Sequence, residues 1–200
     1  ETLVRFDENG EIMPCLAESW EISEDQLTWT FKIREGVKFS NGDDMTPELV
    51  KASLERTFEL SDRAVSFFEP ASMEVDGQNL LIKTKEPVAI LPGSLADPLF
   101  LIVDTQADTD AFAMEGPICT GPYAVESFSP TDSCVVVRNE YYWDGEVPLD
   151  KVTLKCIDDQ TTRSMALQTD EVQIAYNLKT ENLADFEDSG EYNIQQLESL

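Results

Sequence analysis

Residues 26–34, QLTWTFKIR, alternate without a break: Leu27, Trp29, Phe31 and Ile33 fall on one face, Thr28, Thr30, Lys32 and Arg34 on the other. That period of two predicts a half-buried strand. A turn at Glu35-Gly36 leads to a short strand over 37–39, and the Asn-Gly pair in Ser40-Asn41-Gly42-Asp43 supplies the positive φ that a hairpin turn needs. The pattern then changes period. Thr46 caps, Pro47 suits the first helical position, Glu48 favours the positive end of the dipole, and Leu49, Val50, Leu54 and Phe58 form the apolar stripe of a helix.

Two further strands, 73–75 and 80–84, are expected around the turn Asp76-Gly77-Gln78-Asn79, with Pro87 ending the second. Residues 88–103 are apolar, but Pro92 and Pro98 break them into a short helix followed by a buried strand. Residues 104–115 are polar and read as a loop, and Gly116-Pro117 and Gly121-Pro122 punctuate the entry to the next strand. Strands at 123–128, 134–138 and 151–157 follow, then a helix over 160–168 capped by Asp158 or Asp159, with Met165, Ala166 and Leu167 inward. A strand at 172–176, a helix at 180–187 capped by Thr180 and a strand at 192–197 complete the reading, and 1–6 is a strand entered directly. With no tail at either end, the chain is expected to be an excised piece of something longer.

Two hundred residues, 42% of them apolar, suffice for a hydrophobic core without disulfides or metals. The net charge of −26 repels phosphate backbones and anionic headgroups, which argues against a nucleic-acid or membrane-surface partner. The absence of histidine removes Ser-His-Asp and Cys-His nucleophile systems and His-ligated zinc. Cys15, Cys119, Cys134 and Cys156 form no C-x-x-C pair and are expected as buried free thiols, Cys156 alternating with Val152 and Leu154 on a core-facing strand. No apolar run approaches the ~18 residues of a membrane span.

Among candidate chemistries, Asp43-Asp44 and Asp158-Asp159 are weak acid/base pairs, because neighbouring residues in a strand or turn point apart. Asp108, Asp110 and Glu115 lack the glycine and spacing of a calcium loop. Phosphate-cradling glycine loops and the G-x-S-x-G elbow do not occur. Trp20, Trp29, Phe31, Phe39, Tyr141, Tyr142 and Trp143 are expected in the core. Phe67 and Phe68, next to Ser66, fit no core stripe and suggest a pocket lip.

Five blocks in order carry a resemblance. They are Pro14-Cys-Leu-Ala-Glu-Ser-Trp20; Thr28-Trp-Thr-Phe-Lys-Ile-Arg34 with Gly36-Val-Lys-Phe-Ser-Asn-Gly42; Pro117-Ile-Cys-Thr-Gly-Pro-Tyr123; Arg138-Asn-Glu-Tyr-Tyr-Trp-Asp-Gly145 with Leu149-Asp150; and Thr161-Thr-Arg-Ser-Met-Ala-Leu167. Together they resemble the bacterial extracellular solute-binding proteins of family 5, the peptide- and nickel-binding components of ABC importers. Cys119 departs from a common glycine, and Asp170 and Gln173 from a Gly and an Asp; Asp170 can still take a left-handed conformation.

The resemblance implies a mixed α/β, type II periplasmic-binding-protein-like lobe: a β-rich subdomain over 1–104 and part of an α/β lobe over 105–200, with the second lobe absent. It places ligand-facing groups at Ala64, Ser66, Phe67 and Phe68, and with less weight at Asp97 and Phe100. The implied function is capture of a di- or oligopeptide for ABC permease subunits, with a nickel or metal-chelate ligand as the alternative and no cofactor. A carboxylate-based hydrolase and an adhesion module rank lower. The implied location is extracytoplasmic, either periplasmic or lipid-anchored on a Gram-positive surface. A lobe without its partner would also be expected to expose an apolar face or to dimerise.

Overall fold

The computed structural model describes residues 1–179, 183–187 and 190–195. It divides into two compact units, 1–154 and 155–200. The first holds the core. Its sheet has the order β3–β4–β6–β5, antiparallel throughout, built from β3 (Ala17–Ile22), β4 (Thr28–Ile33), β5 (Pro70–Asp76) and β6 (Asn79–Thr84). β4 buries Trp29, Phe31 and Ile33 as its alternation predicts, and Leu80 and Ile82 of β6 lie beside them at no measurable exposure. Each such side chain contributes ~1.5–3 kcal/mol by leaving water. β4 starts two residues later than expected because Gln26 turns the chain with φ +61. Gly77, φ +56, occupies the first central position of the β5–β6 turn, where a type II′ hairpin needs glycine.

The first helix, α1 (Pro47–Leu60), lies across β5 and β6. The Thr46 side chain accepts from the Leu49 N–H at 3.4 Å, and Leu49, Val50 and Leu54 are buried while Phe58 is partly so. A two-stranded ribbon, β1 (Val4–Phe6) with β2 (Ile12–Pro14), precedes the sheet, and the short α2 (Leu91–Ser94) follows it. Gly93 in α2 faces Ile12 and Phe6 of the ribbon, where an added Cβ would make ordinary contacts of 3.5 and 3.7 Å.

Two expected strands resolve into something shorter. Residues 37–39 make one bridge, Lys38 to Asp44, because the turn brings the Phe39 N–H onto the Asp43 carbonyl at 2.8 Å and leaves no length for a ladder. The segment after α2 forms a 3₁₀ turn, Pro98–Phe100, and then runs extended with Phe100 and Ile102 buried. Its N–H groups are shared among separate partners: Ile102 with the Glu1 carbonyl, Val103 with Ser53 Oγ, Asp104 with the Ile118 carbonyl.

The polar segment beyond carries α3 (Phe112–Glu115) and leads to the sheet β7–β8–β9, made of β7 (Tyr123–Ser129), β8 (Ser133–Arg138) and β9 (Lys151–Lys155). The core-facing expectation for β9 fails: Leu154 is 57% exposed and Cys156 is exposed, because among the described residues no apolar layer closes over that face. All four cysteines are free, as expected, but only Cys15 is buried.

In the second unit α4 (Gln160–Gln168) is capped by Asp159, whose carboxylate accepts from the Thr162 N–H at 2.7 Å. That bond, foremost, holds the Asp159 carboxyl below its ordinary pKa. Ala166 faces inward, whereas Met165 is 58% exposed. Asp170 takes the left-handed conformation anticipated for it, φ +58. Residues 172–176 are not a strand. Arg163 instead binds the carbonyls of Tyr176 and Asn177 as well as those of Ile157 and Asp158, leaving Ile174 and Tyr176 more than 80% exposed. Of the helix expected at 180–187, α5 (Ala184–Glu187) is present, and its cap Thr180 lies outside the described residues. Residues 192–195 form no strand, and the remainder of that expected element, 196–197, also lies outside the described residues.

Candidate functional site

Two turns about a hundred residues apart meet in the first unit. The Ser40–Asp43 turn is held from below: the Ser40 N–H donates to the Cys119 carbonyl at 2.8 Å, and Asn41 Nδ2 donates to the carboxylates of Asp43 and of buried Asp104 at 2.8 and 2.9 Å. The second turn follows β8 and is built by Asn139, itself only 4% exposed. Its Oδ1 accepts from the Tyr141 N–H at 2.9 Å, its Nδ2 donates to the Gly121 carbonyl at 2.8 Å and its own N–H donates to the Pro122 carbonyl at 2.9 Å. An asparagine is the side chain for this work because it carries a donor and an acceptor on one short stem.

The far end of that turn is pinned by Glu1. Its carboxylate accepts from Trp143 Nε1 at 2.9 Å and from the Tyr142 hydroxyl at 3.4 Å, while the Arg34 guanidinium lies 4.4 Å from the Trp143 ring centroid. Desolvation, followed by the Glu1 charge, pushes the Tyr142 phenol up to about 12. Trp143 and Tyr142 are half-buried rather than core, and Tyr141 is 45% exposed. The expectation of core packing therefore holds for Trp29, Phe31 and Phe39 and fails for Tyr141, which the Asn139 turn directs outward.

Between the two turns a cavity of about 470 Å³ opens, lined by Ser40, Arg138, Asn139, Glu140, Tyr141 and Asp150, with Ala124 and Val137 at its base. Arg138 pairs with Asp150 at 2.7 Å through one nitrogen. Both groups are open to water, so the pair contributes little to stability. The other guanidinium nitrogens have no partner among the described residues and are available to a carboxylate. The site thus presents a cation, two carboxylates, a hydroxyl and a ring to one space, with the Asn139 amide committed to holding the turn. A second cavity of about 380 Å³ lies between the outer face of α1, at Glu55, Arg56 and Glu59, and residues 105–110.

The six residues expected at the ligand come together, but beside neither cavity. Ala64 and Ser66 form a 3₁₀ turn with Val65, and the Phe67 N–H closes back on the Ala64 carbonyl at 3.1 Å. Phe67 meets Phe100 edge-on at 5.4 Å between centroids, and Phe68 packs against Phe100 and Phe58 at 5.5 and 5.0 Å. Ala64, Phe68 and Phe100 are sealed in the core, so Phe68 is a packing residue and not a lip. Asp97 caps the Pro98–Phe100 turn through the Leu99 N–H at 2.9 Å and pairs with Arg63, whose guanidinium lies 5.3 Å from the Phe67 centroid. Ser66, Phe67 and Asp97 keep some exposure; the Ser66 hydroxyl donates to the Arg63 carbonyl.

Arg138, Asn139 and Tyr141, which line the open cavity, are not among the residues expected at the ligand, although they lie in a block that carries the resemblance. Sequence pattern shows that Arg138 ends a strand but not that Ser40 faces it.

The family model described as bacterial extracellular solute-binding proteins, family 5 Middle, matches residues 11–199. The nickel-binding periplasmic protein of Escherichia coli K12 is 30% identical over 98% of this chain, and a glutathione-binding protein of E. coli O1:K1 is 32% identical over 91%. A crystal structure of a nickel ABC transporter protein from Bacillus halodurans superposes on 94% of the chain with a TM-score of 0.88 and 41% identity. The chain spans about 40% of the length of these proteins: 40% and 37% of the two relatives and 39% of the crystallised one.

Proposed function

The chain belongs to the bacterial extracellular solute-binding proteins of family 5, and from that premise we propose that the protein carrying it captures a short peptide outside the cytoplasmic membrane and delivers it to the permease subunits of an ABC importer. The observation that carries the ligand class is the cavity beside Arg138, where an unpartnered guanidinium edge faces the same space as Glu140 and Asp150. A zwitterionic peptide offers a carboxylate and an ammonium to that arrangement, and the Ser40 hydroxyl suits its amides. Glutathione, the ligand named for the 32% identical relative, is a tripeptide of this kind. Ser66, Phe67 and Asp97 supply a second ligand-facing edge, with Ala64, Phe68 and Phe100 packed behind it.

Capture here is without catalysis, and the protein acts in the periplasm or at a lipid-anchored cell surface. Among the described residues no helix is long and apolar enough to cross a membrane. A subdomain boundary near residue 104, within the compact unit 1–154, is part of this reading, supported by Ile102 being the last buried residue of the main cluster.

A second reading, a nickel chelate as ligand, is favoured by the nickel-binding relative and the nickel transporter structure. Among the described residues no group of three metal-ligating side chains exists, and this reading leaves the ligands to a bound chelator or to a part of the protein outside this chain. A thermal-shift screen of the natural protein tests both, since saturation at about 100 times Kd adds ~2.7 kcal/mol. A rise in Tm with glutathione or mixed di- to octapeptides is expected; a rise only with Ni(L-His)₂ promotes the second reading, and no rise with any probe overturns both.

A further inference from the structure

The chain carries two Asn-Gly pairs, Asn9-Gly10 and Asn41-Gly42, and both close a turn of the same kind. The Gly10 N–H donates to the Asp7 carbonyl at 3.1 Å and the Gly42 N–H to the Phe39 carbonyl at 2.9 Å, with φ +80 and +91 at the two glycines. Both asparagines are exposed, and carboxylates flank both: Asp7, Glu8 and Glu11 at the first, Asp43 and Asp44 at the second. The asparagine side chains differ. Asn41 commits both Nδ2 hydrogens, to Asp43 at 2.8 Å and to buried Asp104 at 2.9 Å, and its Oδ1 accepts from the Asp43 N–H at 3.1 Å. Asn9 makes one long bond, from Nδ2 to Asp7 Oδ2 at 3.4 Å, and its Oδ1 accepts from nothing among the described residues. Its turn is held instead through the backbone, the Asn9 and Glu11 N–H groups each donating to Asp7 Oδ1 at 2.8 Å. The space beside the two glycines differs in the same sense: a Cβ added to Gly10 meets nothing within 4 Å, whereas one added to Gly42 meets the Tyr141 side chain at 3.0 Å.

An amide is displaced only when its carbon reaches the nucleophile, and a carboxamide tied at both ends must break its hydrogen bonds before it can turn. We infer that Asn9 is a site of spontaneous deamidation in the folded protein and that Asn41, in the same dipeptide, is protected by its hydrogen bonds. The Gly10 nitrogen, with no neighbouring Cβ to obstruct the approach, gives its proton to solvent and attacks Asn9 Cγ. The N–Cγ bond forms, the Cγ–Nδ2 bond breaks, and Nδ2 leaves as ammonia with a proton from water, which leaves a cyclic succinimide. Water then opens either ring carbonyl. One opening gives an aspartyl residue, the other an isoaspartyl residue whose backbone runs through the former side chain. Each product carries one negative charge more than the asparagine, placed beside Asp7, Glu8 and Glu11 in the turn that joins β1 to β2.

The test ages the natural protein at pH 8, folded and in urea, and follows the peptides containing Asn9 and Asn41 by mass spectrometry. In the folded protein Asn9 should convert at least about 10-fold faster than Asn41, the order of loss expected when a reacting group is held out of line. In urea, which removes the restraints and leaves the two Asn-Gly pairs, the two rates should come together. The product should be a mixture of isoaspartyl and aspartyl forms, the signature of the ring intermediate. Asp43→Ala, which takes one carboxylate away from Asn41, should speed conversion at Asn41 and leave Asn9 unchanged. If Asp43→Ala fails to fold, the comparison of folded protein with urea still decides. Conversion at Asn9 no faster than at Asn41 in the folded protein, a rate difference that survives in urea, or a purely aspartyl product overturns the inference. None of these outcomes depends on which solute the protein captures.

Discussion

β4 and β8 are strands of six residues each in the same unit, and they end in different circumstances. β4 alternates strictly and buries Phe31 and Ile33 completely under a helix-covered sheet. β8 carries Cys134 and three consecutive valines, yet all four are only half-buried. The sheet containing β4 is packed on by the fourteen-residue α1, whereas the contact on β7, the neighbour of β8, comes from the four-residue α3. A strand's own sequence determines that it pairs; how much apolar layer reaches it depends on elements elsewhere in the chain. The two strands consequently do different work. β4 stabilises the unit, and β8 delivers Arg138 at its exposed end to the cavity.

The contrast is sharpest in thiol chemistry. Burial, followed by the nearby Glu1 charge, pushes the Cys15 thiol up to about 11, while Cys134 on β8 is half-open to solvent. Iodoacetamide at pH 8 should label Cys134 at least about 100-fold faster than Cys15, read by mass spectrometry. Equal rates would erase the distinction. Next in size, Phe31→Ala should cost ~3–5 kcal/mol in urea unfolding and Val136→Ala less than ~1.5 kcal/mol. Comparable costs would mean that β8 is as deeply packed as β4. Thr46→Ala, which removes the cap of the covering helix, should cost about 1 kcal/mol.

The smallest effect concerns pH. The Asp159 carboxyl is held below its ordinary value mainly by the Thr162 N–H, so its contribution to α4 is complete above the unfolded-state pKa of ~3.9 and is lost as pH falls through the lowered native value. Helicity of Asp159→Ala should therefore trail the parent at pH 7, and the difference should close in acid. A gap that persists at pH 2 contradicts this assignment.

Where period and caps act locally, the sequence was legible. The strand at 26–34, the helix opened by Thr46-Pro47-Glu48 and the glycine turn between β5 and β6 all appear as their patterns predict. The failures share a cause, which is partners distant in sequence. The segment after Pro98 looks like a strand, but the N–H groups of residues 102–104 find Glu1, Ser53 and Ile118 instead of one neighbouring strand. At the end of 172–176 the Tyr176 carbonyl, like that of Asn177, is taken by Arg163. Leu154 and Cys156 alternate correctly toward a layer that the described residues do not provide. The expected site was legible as a cluster, since Ala64–Phe68, Asp97 and Phe100 do converge, yet half of it is sealed core. The open cavity depends on Ser40 meeting Arg138 across about a hundred residues, and no local pattern encodes that meeting.

The central claim is that this chain takes a charged solute at Arg138. Titration calorimetry of the natural protein and its Arg138→Ala variant, with glutathione and Ni(L-His)₂, tests it directly. At least one probe should bind the parent, and the variant should bind it about 10- to 100-fold more weakly, as expected for loss of a hydrogen bond to a charged group. Identical dissociation constants for parent and variant, or no heat with either probe, would contradict the account.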